Sequence, residues 1–363
     1  MAVYTTFKDE YGMGIEATWG TGVAVTTPIV TGRPVKLPLT NHPDFTSGMD
    51  IIHSPKALGF PWRRTEEYYQ GIKSPGATLE LDFDVNTMAP FLYCLFNGMA
   101  EGDNTPYTKT YNVYQDVDGT VTAPDYALKS NVLLTPLSLS LVRNTGVASQ
   151  GFRLVGSTVR SITISSSEGE AMKASIEVIA RDLETDFNGM TGSPYTLSTT
   201  NSTVLLHQNL GFDIDDSDAG VTLNSFSITL TNNMVTKHQA NITVLPADAP
   251  IANQFIVGPW EVTGNASFTW DGNNATIIDK YIAGTDIKLE IFNPGSGTYE
   301  NKGGESDTAG DFYLTCNVHL TAAPLEGDDE QTLNISFDGV DDGTNDVTRI
   351  TLADGVNYAW PPG

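Results

Sequence analysis

Residues 77 to 98 constrain the fold of this 363-residue chain more than any other stretch, because two periodicities meet there without a linker. Leu79, Leu81, Phe83 and Val85 alternate with Thr78, Glu80, Asp82 and Asp84, the period of two of a strand that buries one face. The other face reads as a row of acids. Met88, Phe91, Leu92, Leu95, Phe96 and Met99 then recur at helical spacing, with Thr87 expected as the N-cap, Pro90 in the first turn and Gly98 as the stop. A strand feeding directly into such a helix requires a sheet against which the apolar stripe can pack.

The pattern returns much later. Ala266, Phe268 and Trp270 alternate with Ser267, Thr269 and Asp271; Asn274 then precedes a stripe of Ile277, Ile278, Tyr281 and Ile282 that ends at Gly284. Phe83 to Gly98 is 15 positions and Phe268 to Gly284 is 16, a small slippage for a diverged duplication. Three strand patterns follow each unit. After the first come Leu137 to Leu141, Phe152 to Ser165 and Met172 to Val178; after the second come Ile287 to Phe292, Phe312 to Leu320 and Leu333 to Phe337. Recurrence of the whole order is the signature of an internal repeat. Leu223 to Leu230 is a further strand, and the turn-rich stretch from Phe187 to Ser202 is the expected boundary between two domains, each with its own core.

Composition agrees with a mainly β chain: 34 glycines and 19 prolines favour turns over long helices. The formal charge of -25 disfavours binding of nucleic acid through phosphate neutralisation, and equally disfavours anionic membranes. No segment approaches the roughly 20 apolar residues needed to span a bilayer. The N-terminal residues, with Lys8, Asp9 and Glu10, do not resemble a secretory signal, so synthesis and assembly in the cytoplasm are expected. Cys94 and Cys316 are expected as separate buried thiols. From 27 to 75 the chain is rich in proline and reads as an extended arm or long loop; 102 to 130 reads as hairpins around Asp103-Asn104 and Asp118-Gly119.

Few motifs carry chemistry. Gly12-x-Gly14-x-x-Ala17 has the spacing of a dinucleotide loop but lacks the apolar strand before it and the helix after it. Glu80, Asp82 and Asp84 resemble the acidic strand of jelly-roll glucanases, whose paired carboxylates stand about 5 to 5.5 Å apart, though Asp84 replaces a glutamate and no tryptophan-rich platform lies nearby. The acidic runs at 213 to 218 and 338 to 346 lack the spacing and closing glutamate of a calcium loop. His42, His53, His207, His238 and His319 show no paired helical spacing for zinc. No cofactor is expected.

Several segments, taken in order, resemble the major tail tube proteins of long-tailed bacteriophages and related viruses. They are Glu16-Ala-Thr-Trp-Gly-Thr, Gly76-Ala-Thr-Leu-Glu-Leu with the helix ending Leu95-Phe96-Asn97-Gly98, Pro106-Tyr107-Thr108, Gly151-Phe-Arg-Leu-Val-Gly156, Val159 to Ser165, Ala174 to Ile179 and Ser225 to Asn233. The resemblance implies β-sandwich tube domains, each with a short flanking helix, whose sheets join those of neighbours into a continuous barrel. Two tandem domains, 1–190 with the arm at 27–75 and 191–363, would build trimeric rings that imitate hexamers. It further implies a structural, non-enzymatic role in the virion tail. The partners would be copies of the chain, other tail proteins (tape measure, terminator, baseplate) and viral DNA passing without tight binding. Glu80, Asp82, Asp84, Glu177 and Glu261 are the acids expected to face the lumen. The alternatives are another tail component on the same scaffold, such as a terminator, baseplate hub or minor tail protein, or a β-sandwich glycosidase or carbohydrate-binding protein using Glu80, Asp82 and Asp84.

Overall fold

A computed structural model describes residues 10–16, 35–46, 48, 51–53, 68–70, 73–96, 100–101, 107–113, 133–134, 138–144, 151–187, 204–215, 217–218, 222–237, 254–256, 258–270, 275–293, 311–326, 332–340 and 347–354. Most of the proline-rich arm, the hairpin tips of 102 to 130, the 188 to 203 boundary, the Trp19 region, Gly98, Asn274 and the later acidic run beyond Val340 lie outside them.

The elements used below are β1 (Glu10–Ile15), β2 (Gly76–Asp82), α1 (Val85–Phe96), β3 (Tyr107–Val113), β4 (Leu139–Asn144), β5 (Gly151–Ser167), β6 (Lys173–Ile179) and β7 (Asp182–Phe187). The later half supplies β8 (Gly211–Ile214), β9 (Thr222–Thr231), β10 (Glu261–Thr269), α2 (Ala275–Ala283), β11 (Ile287–Asn293), β12 (Phe312–Ala322), β13 (Thr332–Gly339) and β14 (Thr348–Asp354). The protein is mainly β, and every strand pairing is antiparallel.

One sheet runs β2-β6-β5-β9-β10-β13-β12. Its inner face is apolar in every strand: Leu79 and Leu81, Ile176 and Val178, Ile162 and Ile164, Phe226 and Ile228, Ala266 and Phe268, Leu333 and Ile335 are all buried. Strand alternation explains this directly, since each of these residues is two from the next. Among the described residues, the pairings branch at β5 and at β12. The first part of β5 pairs with β4 and β7, its later part with β6 and β9.

The change of partners along β5 has a local cause. Gly156 adopts φ 63°, which a side chain disfavours, and its N–H donates to Glu16 Oε1 at 2.9 Å. The hydroxyls of Ser140 and Ser138 donate to the two oxygens of the same buried carboxylate, both at 2.7 Å. Three donors replace the water that Glu16 loses, so the buried charge is satisfied and the bend is pinned.

The pairings of β5 recur around β12. The first part of β12 lies between β11 and β14, as β5 lies between β4 and β7; its later part pairs with β13, as β5 pairs with β6. In turn β13 pairs with β10 as β6 pairs with β2, and β11 pairs with β8 as β4 pairs with β1. Even the irregularities match, with register shifts between Val159 and Ser161 and between Leu320 and Ala322. The expectation of a separate core for each half differs from what is found: one contiguous cluster contains Leu79, Phe91 and Ile162 together with Phe268, Phe312 and Ile335.

Helix α1 begins three residues earlier than its sequence signals imply. Asp84, not Thr87, is the cap: the Thr87 N–H and hydroxyl donate to Asp84 Oδ2 at 3.1 and 2.7 Å, and the Met88 N–H donates to the Asp84 carbonyl at 2.9 Å. Pro90 consequently sits in the second turn, where it removes one intrahelical bond. The helix is also buried on all sides, because β5 packs on one side and β3 and β14 on another. By contrast Gly284 ends α2 as expected, with φ 64° and the paired bonds Thr285 N–H to Lys280 C=O and Gly284 N–H to Tyr281 C=O. Because a carboxylate at a helix N-terminus satisfies orphan donors and meets the helix dipole favourably, Asp84→Ala should cost about 1–2 kcal/mol, measured as a shift in the urea unfolding midpoint. An unchanged midpoint would refute the assignment of Asp84 as the cap.

Both cysteines are buried and unpaired with each other. Loss of solvation raises the Cys94 thiol well above its ordinary range, helped by the charge of Glu16, and pushes Cys316 up to about 12.

Candidate functional site

The outward face of the long sheet is polar from one end to the other. Reading straight across the strands, one row is Glu80, Ser175, Thr163, Thr229, Thr263 and Asp338. The next row is Asp82, Lys173, Ser165, Ser227, Asn265 and Ser336. A third is Thr78, Glu177, Ser161, Thr231 and Glu261. Each of these side chains alternates with a core residue of the same strand, which is why burying the apolar face sets the polar one without further instruction.

The sequence drew attention to the acids of this face, but hydroxyls make up most of it. Short hydroxyl side chains suit the pleated surface and hold one another: the Thr163 and Thr229 hydroxyls lie 2.9 Å apart across the junction of β5 and β9. The signal was present in Ser161-Ile-Thr-Ile-Ser165 and Ser225-Phe-Ser-Ile-Thr-Leu-Thr231, where the polar partners of the apolar positions are nearly all Ser or Thr.

Of the five acids singled out, Glu80, Asp82, Glu177 and Glu261 stand on this face, with Glu80 and Glu261 exposed. Asp84 does not belong with them. It is 5% exposed and occupied as the α1 cap, because the strand's alternation ends at Asp82 where the chain turns into the helix. Glu177 is partly neutralised, accepting from Arg160 Nη1 and from the Ser161 hydroxyl, each at 3.1 Å. Lys173 stands opposite Asp82 and donates to Glu170 at 2.7 Å; that hydrogen bond and its charge raise the Lys173 pKa and lower that of Glu170. Lys173 on the second row and Arg160, next to Ser161 of the third, therefore already have carboxylate partners.

Among the described residues, these rows carry spaced acids and hydroxyls and no unpaired lysine or arginine of the kind that neutralises phosphates. The loss of Asp84 from the row also removes the third carboxylate of the glucanase-like pattern.

Other polar groups are structural. His207 is buried, its Nε2–H donating to the Leu223 carbonyl at 2.8 Å while Nδ1 accepts from the Ser166 hydroxyl at 3.0 Å. Asp215 accepts from the Lys288 N–H at 2.9 Å and pairs with Lys280. Gly12 and Gly14 lie within β1, paired to β4, which is not the loop a dinucleotide requires. Among the described residues, no group of three or more His, Cys, Asp or Glu is placed to hold a metal ion.

A model of the phage tail tube protein family matches residues 8–339. The chain belongs to the phage tail tube protein family. No curated protein matches its sequence. Membership makes this a structural protein of the virion tail, one that associates with itself and with other tail components. The mainly antiparallel fold agrees with a tube-type β-sandwich, and among the described residues no helix is long and apolar enough to cross a membrane.

Proposed function

We propose that the protein polymerises as stacked trimeric rings into the hollow tail tube through which viral DNA passes. Residues 1–190 and 191–363 act as two tandem tube units, so that three chains imitate a ring of six and their sheets join into one barrel. The observation that carries this reading is that the pairings around β5 recur around β12, while one polar face continues from β2 to β13 across both halves.

In this reading the polar face lines the lumen. Glu80, Asp82, Glu177 and Glu261 keep phosphates at a distance, and the hydroxyl rows give DNA a hydrated surface along which to slide. The proline-rich arm at 27–75 bridges neighbouring subunits or rings. Assembly takes place in the host cytoplasm, with the tape measure protein inside the growing tube and the terminator and baseplate at its ends.

Electron microscopy of the purified protein at high concentration, combined with mass measurement of single rings, tests the proposal. Hollow tubes whose end views show six lobes built from three chains are the expected result. A population that stays monomeric at every concentration would overturn it, as would rings of six chains for the trimeric form.

A further inference from the structure

Where the halves of the chain meet, the later part of β5 has β6 on one side and β9 on the other. The matching part of β12, from His319 onward, has β13 on one side, and among the described residues nothing pairs with its other side. The chain continues in register with β13 through Leu325 and Glu326, and Pro324 C=O accepts from Asn334 N–H at 3.0 Å. By strand alternation, the N–H and C=O groups of Ala323 and Leu325 then point to the uncovered side. Pro324 turns its missing N–H inward, so the proline leaves that edge intact.

The same contrast appears on the helices. Aligned on their terminal glycines, Leu95 and Phe96 of α1 correspond to Tyr281 and Ile282 of α2. Leu95 and Phe96 are 0% and 1% exposed, whereas Tyr281 and Ile282 are 39% and 75% exposed. What covers the first pair is the second half of the chain. Trp260 stacks on Phe96 with ring centroids 5.1 Å apart, and Asn232 Nδ2 donates to the Leu95 carbonyl at 3.2 Å.

The missing partner has a counterpart within the chain. As β9 flanks β10, residues 39–46 flank β2: Leu39 and Thr46 bridge to Leu81 and Gly76, and the Asn41 side chain accepts from Glu80 N–H and donates to Thr78 C=O, both at 3.1 Å. We infer, resting on the self-assembly proposed above, that residues 39–46 of one copy dock on the edge at 322–326 and the exposed end of α2 of the next. The junction between the two halves is thus the template for the junction between copies. It also fixes the register. Thr46 stands where Thr229 does and Pro324 where Thr163 does, so these two residues meet across the interface as the two threonines meet within the chain.

Three variants test this. In Thr46→Cys/Pro324→Cys, oxidation of assembled rings should link copies covalently, giving dimers and trimers on a non-reducing gel. Thr163→Cys/Thr229→Cys should close within one chain and leave its mass unchanged. Ile282→Asp, on an exposed position, should reduce assembly at least tenfold by sedimentation while the melting of the unassembled chain is unchanged. Rings that form normally in microscopy but oxidise without intermolecular links, or an Ile282→Asp protein that assembles like the parent, would overturn the inference and leave the tube reading standing. A parent chain that forms no rings would overturn both.

Discussion

Truncating Phe83 to alanine is expected to destabilise the protein by about 3–5 kcal/mol, well beyond the loss expected for the Asp84 cap next to it. Phe83 is fully buried, and its ring meets Phe312 edge to face, with centroids 5.0 Å apart and an interplanar angle of 68°. Its backbone is held on two sides: Phe83 N–H donates to Met172 C=O at 2.7 Å, and Leu205 N–H donates to Phe83 C=O at 3.1 Å. A site braced in this way collapses poorly, so most of the cavity persists after truncation. The aromatic contact itself adds about 0.5–1.5 kcal/mol beyond buried area. Denaturant unfolding of the unassembled chain should give that loss for Phe83→Ala. A double variant with Phe312→Ala should lose less than the sum, because both substitutions remove the same contact. A cost below about 1 kcal/mol would mean that the two halves are not coupled through this pair.

The sequence made the strands around this site legible because their signal is local. Period two in Leu79 to Phe83, in Ile162 to Ile164 and in Phe226 to Leu230 needs nothing beyond the chain itself, and a terminal glycine needs only its own positive φ. The errors began where one residue could serve two patterns. Asp84 continues the alternation of β2 in sequence, yet Asp84-x-x-Thr87 is also a cap, and the helix took it. The burial of α1 on all sides was not legible, since β14 comes from a segment more than 250 positions away in the chain. For the same reason the sequence alone points to the acids of the candidate surface and not to its hydroxyls. Only the cross-strand register shows that Glu80 shares its row with Ser175, Thr163, Thr229 and Thr263.

That register also governs the second large effect. A fragment ending at residue 190 should fail to fold cooperatively by itself, although the pairing pattern repeats almost strand for strand beyond it. The reason lies in what crosses the boundary. Strand β5 would lose β9 and expose one edge, β3 would lose β14, and Phe83 and Phe96 would lose Phe312 and Trp260. Asn232, which donates to the Leu95 and Val159 carbonyls and accepts from the Met234 N–H, would leave two buried carbonyls without that donor. Each such loss costs about 1–3 kcal/mol, so together they are of the same order as the roughly 5–15 kcal/mol by which domains of ordinary size are stable. Co-expression with residues 191–363 should restore a soluble complex with the cooperative melt of the intact chain, because every lost contact is noncovalent. A fragment 1–190 that melts cooperatively by itself, within a few degrees of the full chain, would show that the repeated pairings mark independent bodies. Failure of the fragment with rescue by its partner would show that duplication has produced a repeated topology around a single shared core.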